Sequence, residues 1–77
     1  MTRTIYLLSL LIEAEHHGLV WESITSEAYD SWEEAEARVN GRDPDDLARE
    51  IMTEDIKEPV EAARLLDWDI RAWTMKD

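Results

Sequence analysis

Residues 4–14 carry apolar side chains at almost every position. Arranged as a strand, one face would hold Tyr6, Leu8, Leu10, Ile12 and Ala14, and the other Ile5, Leu7 and Leu11. A run that is apolar on both faces is typical of a central strand covered on both sides. The alternative is a helix with His16 and His17 in its last turn and Gly18 just beyond it. We favour the strand.

Residues 19–28 also fit two structures. Their Val, Ile, Ser and Thr content favours a strand, whereas Trp21, Ile24, Ala28 and Trp32 recur at helical spacing. If both segments are strands, His16-His17-Gly18 is the hairpin turn, because glycine supplies the positive φ of a tight turn. An all-helical arrangement of residues 4–28 is the alternative.

Two helices with clear boundary signals follow. Ser31 and Glu34 have the spacing of a capping box, and Gly41 stands where a helix C-terminal glycine is expected. They predict a helix from about Trp32 to Asn40. Asp43 as N-cap and Pro44 at the first helical position start a second helix. Its apolar stripe, Leu47, Ile51 and Met52, runs to near Thr53.

Pro59 is expected to open a third short helix, with inward-facing Val60, Ala63, Leu65 and Leu66. Residues 67–76 then alternate. Trp68, Ile70, Ala72 and Thr74 fall on one face, and Asp69, Arg71, Trp73 and Met75 on the other. A period of two predicts a strand.

The predicted fold is therefore α+β, with one domain over residues 1–77 and the order β-β-α-α-(α)-β. A β-hairpin and the C-terminal strand form a small antiparallel sheet, and two or three short helices cover one face.

Length and charge limit the function. The chain has 77 residues, with 19 Asp plus Glu against eight Lys plus Arg, a formal net charge of −11. Such a charge is repelled by phosphate, which disfavours direct binding of nucleic acid or an anionic membrane. The apolar run Leu7–Ile12 is too short for a spanning helix of ~20 residues. The absence of cysteine excludes disulfides and thiolate metal sites, and it fits the cytoplasm.

Candidate chemistry is sparse. His16 and His17 are adjacent, so on a strand they point to opposite faces, and we interpret them as turn residues. Asp43, Asp45 and Asp46 do not begin a calcium loop, because the sixth position would be Ala48 and not glycine. Nucleophile motifs and phosphate-binding loops are missing. We therefore predict a protein that is not an enzyme and uses no metal or cofactor. A metal-dependent enzyme resting on His16 or His17 is the remaining alternative, and it would require tight metal binding at neutral pH.

The four tryptophans divide into two pairs. Trp32, at a helix start, and Trp68, on the inward strand face, are expected in the core. Trp21 and Trp73 could fall on the other sheet face. Because Trp is a preferred hot-spot residue at interfaces, Trp73 or Trp21 is the candidate apolar anchor for a partner.

The charge is uneven along the chain. Residues 33–61 hold eleven acids and four bases, whereas residues 62–77 hold three of each. Carboxylates three or four residues apart on a helix form rows that resemble the phosphates of a nucleic-acid strand. Such rows would fit a Lys/Arg-lined groove. The partner-binding candidates are Glu33, Glu36, Asp43, Asp45, Asp46, Glu50, Glu54 and Trp73.

The sequence resembles, in overall pattern, the small acidic proteins of bacteriophages and mobile elements, among them anti-CRISPR and other DNA-mimicking inhibitors. The resemblance lies in the apolar strand 5–12, the Tyr29–Glu36 turn into a helix, the acidic stretch 43–61 and the final strand 68–75. It includes no diagnostic motif, so no family site is carried over. It implies a cytoplasmic protein of a bacterial host cell that binds a basic nucleic-acid-handling protein, such as a CRISPR effector or nuclease, and blocks its nucleic-acid site.

The alternative is a structural or homodimeric accessory protein whose acidity serves only solubility. Its dimer interface would be the sheet face carrying Ile5, Leu7, Leu11, Trp73 and Met75.

Overall fold

The computed structural model describes residues 2–76, and these form a three-stranded antiparallel sheet with two helices inserted before the last strand. The elements are β1 (Thr2–His16), β2 (Leu19–Tyr29), α1 (Trp32–Val39), α2 (Pro44–Ile56) and β3 (Ala62–Lys76). The sheet order is β2-β1-β3, so β1 is central. The predicted α+β class and element order are confirmed, with two helices.

The first two strands form a hairpin with a two-residue turn. His16 is paired with Leu19, and the turn residues His17 and Gly18 have φ values of 53° and 76°. Two consecutive positive φ angles are the signature of the tight turn whose twist matches that of paired strands. The hairpin prediction is therefore confirmed, and residues 4–16 and 19–28 are not helical.

The hydrophobic core lies between one face of the sheet and the two helices. From the sheet come mainly four even-numbered side chains of β1, and from the helices come Ala35 of α1 and four residues of α2. All of them are buried: Leu8, Leu10, Ile12, Ala14, Ala35, Leu47, Ala48, Ile51 and Met52. The odd-numbered side chains of β1 face the opposite way. Both helices pack on the same face, as predicted, so the second apolar face of β1 carries no helix.

Side-chain caps start both helices where the sequence predicts them. The Ser31 hydroxyl accepts the Glu34 N–H at 3.2 Å. One carboxylate oxygen of Asp43 accepts the N–H groups of Asp45 and Asp46 at 2.9 and 3.1 Å. Helix α2 continues to Ile56, three residues beyond the predicted end.

The predicted third helix after Pro59 does not form. Residues 62–66 are instead the first part of β3, where Ala63 is paired with Ala14 and Leu65 with Ile12. The local sequence of these residues is compatible with a helix, but tertiary pairing overrides that propensity. Pairing with the central strand satisfies their backbone N–H and C=O groups as part of a long, continuous strand. Leu66 is the extra residue of a bulge, because Leu11 is paired with Asp67 and Ile12 with Leu65.

The predicted positions of three tryptophans also need correction. Trp68 lies opposite Leu10 on the helix-covered face, yet it is 39% exposed, and Trp32 is 44% exposed, so neither is a core residue. The helices are only about 12 and 20 Å long at ~1.5 Å per residue, so they leave part of the sheet uncovered. Trp21 lies opposite Ala14 on the helix-covered face, not on the other one. Trp73, opposite Ile5, lies on the uncovered face as expected.

Candidate functional site

The predicted partner-binding residues fall on two opposite sides of the molecule. Trp73 lies on the sheet face that carries no helix, which we call the open face. The seven acids belong to α1, α2 and the N-cap of α2, which cover the other face: Glu33, Glu36, Asp43, Asp45, Asp46, Glu50 and Glu54. The structure therefore brings the acids into one layer and separates them from Trp73.

Glu50 is engaged within the molecule. Its carboxylate accepts a hydrogen bond from the Arg42 guanidinium, and Arg38 lies 3.8 Å from its second oxygen. The hydrogen bond and positive charge of Arg42, with a smaller contribution from Arg38, hold the pKa of Glu50 below its ordinary value. Because two arginines already neutralise Glu50, it is the weakest of the seven as a partner contact.

Arg38 also joins α1 to β2. Its Nε donates to Glu27 Oε1 at 3.1 Å, and the Tyr29 hydroxyl donates to the same oxygen at 2.8 Å. Burial, followed by the neighbouring Glu27, raises the pKa of Tyr29. This half-buried group holds α1 on the edge strand, so its role is structural.

The remaining predicted acids differ in availability. Asp43 caps α2, and Glu36 accepts a hydrogen bond from the Trp32 indole at 3.2 Å. The other four predicted acids are exposed on the helices: Glu33, Asp45, Asp46 and Glu54. They are the carboxylates that a basic surface could reach without breaking an internal contact.

The open face carries apolar side chains on all three strands. On β1 these are the half-buried Ile5, Leu7 and Leu11. On the flanking strands the exposed fractions are 72% for Ile24 and 56% for Trp73. Within residues 2–76, no helix or loop covers this face. It therefore leaves large apolar side chains such as Ile24 and Trp73 open to solvent.

Charges on the open face are of mixed sign, with five acids and three bases along the three strands. Cross-strand pairing places Glu13 between Glu22 of β2 and Arg64 of β3. The Arg71 guanidinium donates to Asp69 at 3.1 Å. The acidic excess therefore belongs to the helix layer, and the open face carries only a small net charge.

A third feature lies at the hairpin end, where the sequence favoured simple turn residues and gave no sign of Glu58. The Nε2 atom of His16 lies 2.7 Å from Glu58 Oε2, and that of His17 lies 3.9 Å from the same oxygen. The two imidazole rings are 3.9 Å apart, tilted by 45°. Mainly through the hydrogen bond from His16, the two histidines lower the pKa of Glu58.

The prediction that His16 and His17 point apart fails because His17 is not a strand residue. Its positive φ rotates the chain at the turn and swings its ring beside that of His16. No local signal could have joined them to Glu58, which is 42 residues from His16 in sequence.

No helix in the described part of the chain is long and apolar enough to cross a membrane. Comparison of the sequence and structure with protein-family models, with curated proteins and with solved structures finds no match. The surfaces of the molecule are therefore the basis on which its function is inferred.

Proposed function

We propose that the protein is a non-catalytic acidic inhibitor, anti-CRISPR-like or DNA-mimicking, that binds a basic nucleic-acid-handling protein and blocks its nucleic-acid site. The supporting observation is the one-sided distribution of charge. The helical segment 33–56, with nine acids and three bases, forms the layer above one sheet face. Two of those bases, Arg38 and Arg42, are already paired with acids of this protein.

The exposed carboxylates supply the recognition. Glu33 stands in the first turn of α1, Asp45 and Asp46 in the first turn of α2, and Glu54 near its end. A partner groove lined by Lys and Arg would attract this layer over several ångströms, with fast, salt-dependent association. The layer would occupy the positions of phosphates, and the partner's nucleic acid would be excluded by competition. The bacterial cytoplasm is the proposed place of action.

Glu54→Lys is the sharpest test of this surface. Glu54 is exposed near the C-terminal end of α2, where a lysine is favourable to the helix dipole. Glu50→Lys would not test partner binding alone, because it also places a third positive charge beside Arg38 and Arg42 within the protein. Glu22→Lys is the matched control, since it changes the charge equally but lies on the open face.

The assay is displacement of a short fluorescent DNA duplex from purified bacterial nucleases, followed by anisotropy at low and high salt. The wild type should release the duplex at low salt and lose this ability as salt rises. Glu54→Lys should weaken the competition by about tenfold, or 1.4 kcal/mol, whereas Glu22→Lys should not. If the wild type releases DNA from none of the nucleases, the inhibitor proposal is contradicted. If the two variants weaken the competition equally, the acidic helices are not the binding surface.

The open face supports a second candidate function, a homodimer with the two sheets packed face to face. Its three strands of 15, 11 and 15 residues cover roughly 650 Å² at ~3.4 Å per residue and ~4.8 Å between strands. Stable interfaces bury about 800 Å² per partner. A second copy therefore offers close to the required area, and its own acidic helices would point outward, away from the interface.

Light scattering after size exclusion, over a range of protein concentrations, tests the dimer. The expected mass is twice that of the chain, and it should be insensitive to salt. Ile24→Lys introduces a charge on the open face and should yield monomers. Leu19→Lys is the matched control, because Leu19 is equally exposed but is paired with His16 on the other face. A wild type that is monomeric at all concentrations would rule the dimer out.

A further inference from the structure

We propose that His16, His17 and Glu58 form a binding site for a divalent transition-metal ion of the Zn²⁺ type. Their ligand atoms, two imidazole nitrogens and one carboxylate oxygen, lie within 4.8 Å of one another. The site is at the hairpin end of the sheet, on the loop that links α2 to β3. It is independent of both the acidic helix layer and the open face.

The distances fit a metal centre after small side-chain movements. Ligands held at ~2.0–2.1 Å by a tetrahedral ion are about 3.4 Å apart. The observed separations from Glu58 Oε2 are 2.7 Å for His16 Nε2 and 3.9 Å for His17 Nε2, on either side of that value. The side chains of His17 and Glu58 are exposed, so they can adjust without disturbing the core.

The backbone holds the two histidines in place for this role. His16 is the last residue of β1 and is paired with Leu19, and the positive φ of His17 places its ring beside that of His16. The N–H of His17 donates to Glu61 Oε1 at 2.9 Å, which ties the turn to the opposite loop. Glu61 N–H in turn donates to the Glu15 carbonyl at 3.0 Å. The turn and the loop that carry the ligands are therefore connected before any ion binds.

The donor set selects the class of ion. Two imidazoles and one carboxylate suit Zn²⁺, Ni²⁺ or Cu²⁺, whereas Ca²⁺ and Mg²⁺ require oxygen ligands. With three protein ligands, a fourth position is left for water. The buried Nδ1 of His16 has no hydrogen-bond partner within residues 2–76. Because outer hydrogen bonds to ligand histidines strengthen binding by roughly 10- to 100-fold, this site should be weaker than a fully supported one by a similar factor.

Calorimetric titration of the full chain with Zn²⁺ at neutral pH tests the site, after treatment with a chelator. The expected result is one ion per chain, with a rise in Tm because the ion joins the turn to the loop. Substituted Co²⁺ should give the visible absorption of a low-coordinate site. His17→Ala and Glu58→Gln should each weaken binding by about tenfold or more, in line with the loss of one ligand from a small site.

Glu34→Gln is the matched control for Glu58→Gln. It removes the same charge from an exposed position on α1, outside the hairpin end, and should bind Zn²⁺ like the wild type. Two results would overturn the proposal: absence of saturable binding by the wild type, or unchanged affinity in both ligand variants. The second result would assign the ions to the acidic surface in general. Both ligand variants change exposed side chains, so circular dichroism should show an unchanged fold.

Discussion

Truncation of neighbouring leucines on β1 would measure how differently its two faces are covered. Leu10 points to the helices and has no exposed surface, whereas Leu11 points to the open face and is only half-buried. Leu10→Ala removes the same atoms as Leu11→Ala, one residue away on the same strand. The pair therefore separates the contribution of the helix layer from that of strand propensity.

The expected magnitudes are well separated. A buried Leu→Ala change costs 2–5 kcal/mol, and the complete burial of Leu10 places it at about 3 kcal/mol. At ~0.05–0.15 kcal/mol per residue, the free energy of unfolding of a chain of this length is about 4–12 kcal/mol in total. Leu10→Ala should thus lower the Tm by roughly 12–24 °C. Leu11→Ala should cost about 1 kcal/mol in the monomer, because less of its surface leaves water on folding.

Urea and thermal unfolding, followed by circular dichroism and tryptophan fluorescence, supply the measurement. Dilute protein is used first, so that any dimer is dissociated. Equal losses for the two variants in dilute protein would refute the one-sided core. If the second copy covers the open face, Leu11→Ala should become more costly as protein concentration rises, whereas the cost of Leu10→Ala measured at the same concentrations should change less.

Two further predictions concern the acidic helices. Asp43→Ala removes the acceptor of the Asp45 and Asp46 N–H groups and should cost about 1 kcal/mol in thermal unfolding, with most of the loss recovered by Asp43→Ser. Glu50 has a folded-state pKa below its ordinary value of 4.5, so its stabilising effect is present above that pH and is lost as the pH falls through the lower folded value. The Tm difference between the wild type and Arg42→Ala should therefore shrink in acid, and a difference independent of pH would contradict the assigned ion pair.

Local signals account for the elements that were predicted correctly. The turn glycine at 18, the Ser31 and Asp43 caps and the alternation over residues 67–76 each act within a few residues of chain. Hydrogen bonds and φ preferences at that range hardly depend on the rest of the fold, which explains why they could be predicted from the sequence. The failed third helix has the opposite cause, because residues 62–66 pair with β1 some fifty positions away.

Some features of the candidate surfaces could likewise be predicted from the sequence. That residues 33–61 carry the acidic excess is a property of the sequence alone, because the charges travel with the helices wherever these pack. Trp73 was also assigned to the face opposite Trp68 by alternation alone, and the structure agrees.

Only the tertiary structure decided which acids are free and which are used internally. It placed Arg38 and Arg42 on Glu50, left Ile24 and Trp73 uncovered on a face without helices, and brought Glu58 to His16 and His17. Each of these results joins residues from separate elements. The sequence by itself therefore determined the elements and their charge, because both are local. The packing of two helices on the same face, and the contacts made at long range, determined the open face and the cluster of His16, His17 and Glu58.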